Sequence, residues 1–501
     1  MDVFRLRDTV VNEYRDYVES FVRVLDPGIN EFVRQQLGAG ELWPDAVLQL
    51  NPAFVMDRTL GELAEAGTIT WETARFFGEH IRLYRHQREA LDVAQRGEPY
   101  VVTTGTGSGK SLTYLVPIYD FIIRTQPHNH SVRAIIVYPM NALINSQRSA
   151  LEECAARCPE SPVRFDRYTG QERQEARARI LADPPHILLT NYVMLEYLLV
   201  RPTERSLLAT ATRDLRFLVM DELHLYRGRQ GADVAMLLRR LQQRAGHDLQ
   251  VIGTSATTGS EGSREERRQV VAAVATRLFG VTVPPTNIID ETLQRVAGVP
   301  VPATRDELRC AVEMEPPAPN VDAVTAHPLA AWVEEAFGLA SEAGRLVRRQ
   351  PETFGNAVAR LAREAGLEAA FCSQRLRAVL DAGNEARFSP EQPAFAFRLH
   401  QYLSSGSSVY ATLEPAQARL LTMEGQYKAD DDRVLFPLAF CHECGQEYYL
   451  FSRIEEDGRQ KLVPRSPLVG APEEYIHGEG GFFAIEEDDL WSGEDDELPE
   501  F

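Results

Sequence analysis

Two hydrophobic periodicities divide the chain. In residues 1–80 apolar positions recur at helical spacing, as in "DVFRLRDTVVNEYRDYVESFV", interrupted by the turn Asp26–Gly28 and by "LWPDAVLQLNPAF", which reads as a loop. This part reads as an N-terminal helical accessory region. In residues 81–290 the pattern changes to short apolar runs, "YVVTT", "RAIIVYP", "HILLT", "RFLVMDE" and "LQVIGTSAT", alternating with amphipathic helices. Short runs without polar alternation fit parallel strands covered on both faces, so an α/β domain with a doubly wound parallel sheet is expected.

Helical spacing returns over residues 291–394, in "AHPLAAWVEEAFGLASEAGRLVRR" and "NAVARLAREAGLEAAFCSQRLRAVLDA", which reads as a helical insertion. Residues 395–465 read as hairpin-like β segments carrying a thiol pair, and residues 466–501 as an acidic, disordered tail. No internal repeat is visible.

Composition narrows the classes. A chain of 501 residues that is 44% hydrophobic can bury more than one core. No apolar run approaches the roughly 20 residues that span a bilayer, and the charged N-terminus lacks a signal-peptide core, so a cytoplasmic location without a membrane partner is expected. Six scattered cysteines make no disulfide framework, and only Cys441 and Cys444 have metal-like spacing. A net charge of −20 argues against holding nucleic acid by bulk electrostatics, so any such contact must be local. Arg239 and Arg240 could supply one, or lie on a solvated helix face. The "HNH" at His128–His130 reads as a polar loop before a strand, not a nuclease, and Cys154 and Cys158 as buried small hydrophobes.

The chemistry concentrates in "TGTGSGKS", Thr104–Ser111. A strand ends before it and a helix begins after it, so the N–H groups of Thr104, Gly105, Thr106, Gly107, Ser108 and Gly109 and the helix N-terminus are placed to hold phosphates. Lys110, one of three lysines beside many arginines, would reach the β and γ phosphates, and Ser111 would coordinate magnesium. The strict pattern has glycine where this chain has Thr104. Downstream, "RFLVMDELH" puts Asp221 and Glu222 at the end of an apolar strand, where open α/β sheets build their sites; Asp221 would hold magnesium and Glu222 would deprotonate the attacking water. ATP and magnesium are therefore the expected cofactors.

With both motifs placed, the segment resembles superfamily 2 helicases of the DEAD/DEAH class, and in particular the branch containing Lhr, MrfA and the large phage-defence helicases of the Druantia and DISARM systems, over the N-terminal part of those proteins. The resemblance implies a RecA-like first lobe. In "LYRHQREAL" it implies that Gln87 reads adenine. In "YPMNALINSQ" Pro139, Ala142, Leu143 and Gln147 match, which implies that Pro139 and Gln147 touch the nucleic-acid strand, whereas Met140 and Asn141 replace the usual Thr-Lys. "YTGQERQEAR", with Tyr168 and Gly170, and "ILLTNYVMLEYLL", with Thr190 and Asn191, look like loops that touch one nucleic-acid strand. The extension Tyr226, Arg227 and Gly228 marks the branch, and His224 sits where the family couples its two lobes. "GTSAT" looks like the motif linking nucleotide state to strand grip, through Thr254, Ser255 and Thr257.

The resemblance also implies partners. Such helicases close the ATP site with arginines from a second RecA-like lobe, in a Gln-x-x-Gly-Arg-x-Gly-Arg pattern that does not occur after Thr257. A second lobe, on a longer chain or a separate subunit, is therefore expected, together with single-stranded or forked DNA and other defence-system subunits. The pair Cys441 and Cys444 would be half of a zinc site, which in the family is completed by later ligands. Two alternatives stay open: a nucleotide-gated DNA-binding module without turnover, and an RNA helicase.

Overall fold

The computed structural model describes residues 3–485 except 41, 106, 126–130, 205–206, 208–211, 257–261, 343, 390–391, 405–407, 457 and 466–478; the side chains of 39, 203 and 479 are also outside the description. Thr106, Thr257, His128–His130 and the tail from residue 486 thus lie outside the described residues. The chain forms two compact units, one of Ala53–Gln294 with Gly344–Leu346, the other of Met1–Pro52, Arg295–Ala343 and Val347–Phe501.

The first unit is built on a seven-stranded sheet: β1 (Tyr100–Thr103), β2 (Ala134–Tyr138), β3 (Phe165–Tyr168), β4 (Ile187–Asn191), β5 (Phe217–Met220), β6 (Gln250–Ser255) and β7 (Ile288–Asp290). All are parallel, in the order β7-β1-β6-β5-β2-β4-β3. Alternate residues of each central strand enter different cores. Tyr100, Val102, Ile136 and Val219 join a layer formed by helices α1 (Arg85–Gln95), α2 (Leu112–Thr125) and α3 (Asn141–Arg157). Val101, Ile135, Val137 and Leu218 join the opposite layer, formed by α4 (Tyr192–Val200), α5 (Gly228–Ala245) and α6 (Arg264–Phe279). Burial on both faces is why these strands read as continuous apolar runs. The architecture is the doubly wound parallel sheet that the pattern predicts.

The unit begins earlier than the periodicity implies. Helices Leu60–Glu65 and Trp71–Phe77 place Leu60, Leu63, Phe76 and Phe77 in the α1–α3 core rather than in a separate accessory layer. Asp120 of α2 fixes them, accepting from Thr70 N at 2.6 Å and from Thr73 Oγ1 at 3.1 Å.

In the second unit, Val47–Asn51 is a strand and not a loop. It pairs antiparallel with Ala396–His400 and buries Leu48 and Leu50 against helices Arg305–Glu313, Pro328–Phe337, Phe354–Ala365 and Ala369–Glu385. The helical reading of "AHPLAAWVEEAFGLASEAGRLVRR" holds only to Phe337. Gly338 ends the helix, and Leu339–Glu342 and Arg345–Arg348 are paired strands. A second core joins helices Val3–Phe21 and Pro27–Ala39 to the β segments Tyr410–Ala411, Phe436–Phe440 and Glu447–Glu456 through Val11, Ile29, Val33, Trp43, Phe436, Leu438 and Tyr449. Within the stretch read as a disordered tail, Glu479–Phe483 pairs antiparallel with Glu447–Glu456, and Phe483 stacks on Tyr449 at 5.0 Å. The apolar "GGFF" of that stretch precedes its acidic run, which accounts for the difference.

Candidate nucleotide site

β1 delivers the phosphate loop. Thr104, the residue after it, donates its N–H to Ser255 O of β6 at 3.3 Å. Gly107 and Gly109 take left-handed backbone conformations, with φ of 79° and 66°, which favour glycine. A Cβ on Gly109 would also lie 2.5 Å from Gln87 Nε2. Thr104, standing where the strict pattern has glycine, is fully buried, and its hydroxyl lies 2.6 Å from that of Ser108, bracing the loop from within. The Gln87 amide donates to Gly109 O at 2.9 Å and accepts from Tyr84 N at 2.8 Å, so it holds the loop directly. His86 adds a 3.0 Å contact from Nε2 to Ser108 O.

The acidic pair arrives from β5. Asp221 donates its N–H to Val137 O at 2.9 Å, and Glu222 turns into a left-handed conformation with φ 53°, one of two non-glycine residues at positive φ among the described residues. Such strain persists where surrounding structure over-determines it. Here Thr254 does so: its hydroxyl donates to Asp221 Oδ1 at 2.5 Å and accepts from Glu222 N at 3.1 Å. Burial pushes the Asp221 carboxyl up to about 6, the Thr254 bond opposes this, the Glu222 charge adds to it and Lys110 opposes it. A buried carboxylate short of positive charge is a fitting ligand for a hard cation.

Lys110 bridges the motifs. Its Nζ donates to Thr104 O at 3.3 Å and lies 3.4 Å from Glu222 Oε1. Glu222 Oε2 lies 3.3 Å from His224 Nδ1, but that nitrogen accepts from Ala256 N at 3.3 Å and sits 3.4 Å from Ser255 Oγ. An Nδ1 that accepts from a backbone N–H leaves the ring proton on Nε2. Glu222 Oε2 is accordingly buried without a hydrogen-bond partner, an acceptor open to a ligand. The structure thus brings Lys110, Ser111, Asp221, Glu222, His224, Thr254 and Ser255 to the C-terminal ends of β1, β5 and β6.

The residues expected to touch a nucleic-acid strand separate into two groups. Gly170 is exposed with open space where a Cβ would stand, and Pro139 is half-buried at the end of β2. Thr190 is buried and donates its hydroxyl to Tyr168 O at 2.7 Å, a bond inside the fold. Asn191 caps α4, accepting from Met194 N at 2.9 Å, and its amide donates to Asn141 Oδ1 at 2.8 Å, so the Asn141 that replaces the family's lysine joins two of these loops. Gln147 faces the phosphate loop: Ser111 Oγ donates to its Oε1 at 2.6 Å. Arg240 pairs with Glu196 at 2.6 Å, and Arg239 donates to Arg277 O at 2.7 Å, so both arginines have partners within the fold.

Cys441 and Cys444 are half-buried in a turn of the second unit. Among the described residues no group of three or more His, Cys, Asp and Glu side chains is placed to hold a metal ion, so the thiols stand as a pair. No described helix is long and apolar enough to cross a membrane. Two contributors had no signal in the sequence: Glu291, whose Oε2 accepts from Gly105 N at 3.1 Å, and Tyr114, whose hydroxyl donates to Ser111 Oγ at 3.4 Å.

Residues 84–264 match the family model of the DEAD/DEAH box helicases. Druantia protein DruE of Escherichia coli is 26% identical over 51% of this chain and 20% of its own length. An uncharacterized ATP-dependent helicase of Methanocaldococcus jannaschii is 34% identical over 35% of this chain and 26% of its own. Among solved structures, the DUF1998 helicase MrfA bound to DNA is 25% identical with a TM-score of 0.41, covering 52% of this chain and 32% of that one. The chain therefore spans only 20% to 26% of the length of these curated relatives. Over residues 84–264 it carries a match to the DEAD/DEAH box helicase domain, and over part of its length it is similar to Druantia protein DruE and to an ATP-dependent helicase.

Proposed function

We propose that the chain binds ATP with magnesium and serves as the ATP-binding lobe of a DNA helicase or translocase. The observation that carries this is the convergence of Lys110, Ser111, Asp221 and Glu222 on one end of a parallel sheet, braced by Thr254. Phosphates fit the N–H groups of the loop and the N-terminus of α2. Their arrival offers Lys110 a stronger partner than Glu222 and frees that carboxylate. Ser111 Oγ and Asp221 supply oxygen ligands suited to magnesium, which when bound offsets phosphate charge. The unpartnered Glu222 Oε2 is the acceptor for a proton of the attacking water.

One parallel sheet is present among the described residues. Turnover is proposed to depend on a second RecA-like lobe, in cis or in trans, whose arginine is worth roughly 10³ to 10⁵ in rate. DNA as the strand, a cytoplasmic location, a role in phage defence with further subunits, and zinc at Cys441 and Cys444 once two more ligands join belong to the same proposal. The cytoplasmic location is supported by the scattered cysteines, the others by the sequence resemblance and, for defence, by the similarity to Druantia protein DruE. The Lys110–Glu222 ion pair favours a second reading, a nucleotide-gated module that binds without turnover. Steady-state ATP hydrolysis with and without single-stranded DNA, beside RNA of the same sequence, separates these. DNA-stimulated turnover lost in Glu222→Gln supports the motor; ATP-dependent DNA affinity without hydrolysis supports the gated module; stimulation by RNA alone overturns the DNA assignment.

A further inference from the structure

We infer that Gln147 and Tyr114 are positioning residues for the Ser111 hydroxyl and that they link it to the loop Pro139–Asn141. The inference rests on the proposed ATP–magnesium site and assigns Gln147 a place different from the strand contact that its sequence motif implies.

A serine hydroxyl has one proton and two lone pairs. Here the proton goes to Gln147 Oε1 at 2.6 Å, and one lone pair accepts from the Tyr114 hydroxyl at 3.4 Å. Two bonds leave one lone pair with its direction fixed. A hydroxyl that ligates a cation through oxygen must still place its proton, and a cation cannot take it. The neutral amide of Gln147 accepts that proton without the negative charge with which a carboxylate would compete for the cation. Partners that orient a ligand in this way tune metal affinity from outside the coordination shell. Tyr114 is fully buried, so its hydroxyl is held in place between Ser111 and Tyr138.

Both residues lead to the same loop. The Tyr114 hydroxyl lies 3.3 Å from that of Tyr138, the last residue of β2, directly before Pro139. Gln147 sits on α3, which begins at Asn141, and Asn141 is tied to Asn191 by the 2.8 Å amide bond. A displacement of the Ser111 oxygen on metal binding therefore has two packed routes to Pro139–Asn141, and by linkage a strand held there would act back on metal affinity.

The test is equilibrium binding of a fluorescent ATP analogue to the whole chain under magnesium titration, beside single-stranded DNA binding. Gln147→Leu is expected to raise the magnesium midpoint about 10-fold. It leaves metal-free nucleotide binding and nucleotide-free DNA affinity unchanged. Tyr114→Phe raises the midpoint about 3-fold. Gln147→Glu, which keeps an acceptor but adds the competing charge, shifts the midpoint away from wild type, and an unchanged melting temperature with unchanged metal-free nucleotide binding guards against a folding defect in the leucine variant. At saturating magnesium and nucleotide, the change in DNA affinity caused by nucleotide shrinks in Gln147→Leu. An unchanged magnesium midpoint in Gln147→Leu overturns the positioning role, and a fall in its nucleotide-free DNA affinity restores the strand contact. An unchanged nucleotide effect on DNA overturns the link to the loop. Absence of any magnesium-dependent nucleotide binding in the wild type instead overturns the ATP reading itself.

Discussion

The phosphate loop and the Cys441–Cys444 turn are built alike and end differently. Each is a tight turn whose glycine the backbone demands. Gly109 has φ 66° beside Gln87, and Gly445 has φ 83° with a would-be Cβ 3.0 Å from Leu25 N. Each points backbone N–H groups at an anionic position. The N–H of Cys444 and then that of Glu443 hold the Cys441 thiol below its usual range, and the turn closes with Gly445 N donating to Cys441 O at 2.9 Å. The difference lies in what arrives from elsewhere. At the phosphate loop, β5 brings Asp221 and Glu222, β6 brings Thr254 and α3 brings Gln147. At the thiol turn, the segment Arg23–Leu25 supplies backbone packing and hydrogen bonds, with Leu25 N donating to Gly445 O at 2.8 Å, and no third metal ligand is present among the described residues. A motif is local conformation; a site is convergence of distant segments.

If that contrast is sound, substitutions in the convergent region should change chemistry, and those at the turn should change only stability. The largest effect is expected from Glu222→Gln, which keeps ATP binding and lowers any DNA-stimulated turnover by about 10² to 10⁴; equal turnover in the variant would remove Glu222 from the base role. Next, Lys110→Ala should weaken ATP about 100-fold, the worth of a charge-assisted bond to phosphate, as read by titration calorimetry.

Asp221→Asn should abolish magnesium dependence yet stabilise the unbound fold by about 1–2 kcal/mol. The sign follows from the carboxyl being held at about 6 in the fold against 3.8 as its ordinary value. Ionised, it costs stability above pH 6, a cost that fades as the pH falls from 6 toward 3.8. The melting-temperature advantage of the variant should shrink over that window, and a constant gap would show that the charge is not the cause.

At the thiol turn, Gly445→Ala should lower stability by about 1–3 kcal/mol, since the new methyl meets backbone in a strained conformation. The double change Cys441→Ser and Cys444→Ser should stay within about 0.5 kcal/mol and leave ATP binding untouched. A large loss in denaturant melts of the serine pair would mean that the turn is a completed metal site after all.

The sheet and both catalytic motifs were legible because their signals are local: a buried parallel strand is a continuous apolar run, and a phosphate loop is a fixed glycine spacing. Long-range pairing was not. Leu48 and Leu50 alternate as a strand should, but their partners Leu399 and Phe397 lie far along the chain, and the segment read as a loop. Helical spacing likewise carried the prediction past Gly338, where the chain turns into paired strands. In the site, Lys110, Asp221 and Glu222 stood out by type and spacing. The Thr104–Ser108 brace, the partnerless Glu222 Oε2 and the turn of Gln147 toward Ser111 depend on side-chain direction, which spacing does not encode.

The most direct test of the convergent site is binding of ATP to the wild-type chain and to Lys110→Ala, each with magnesium and with a chelator. Magnesium-strengthened binding in the wild type that is lost in Lys110→Ala is the predicted result. Binding that ignores both magnesium and Lys110, or none at all, would contradict the assignment of this face as the nucleotide site.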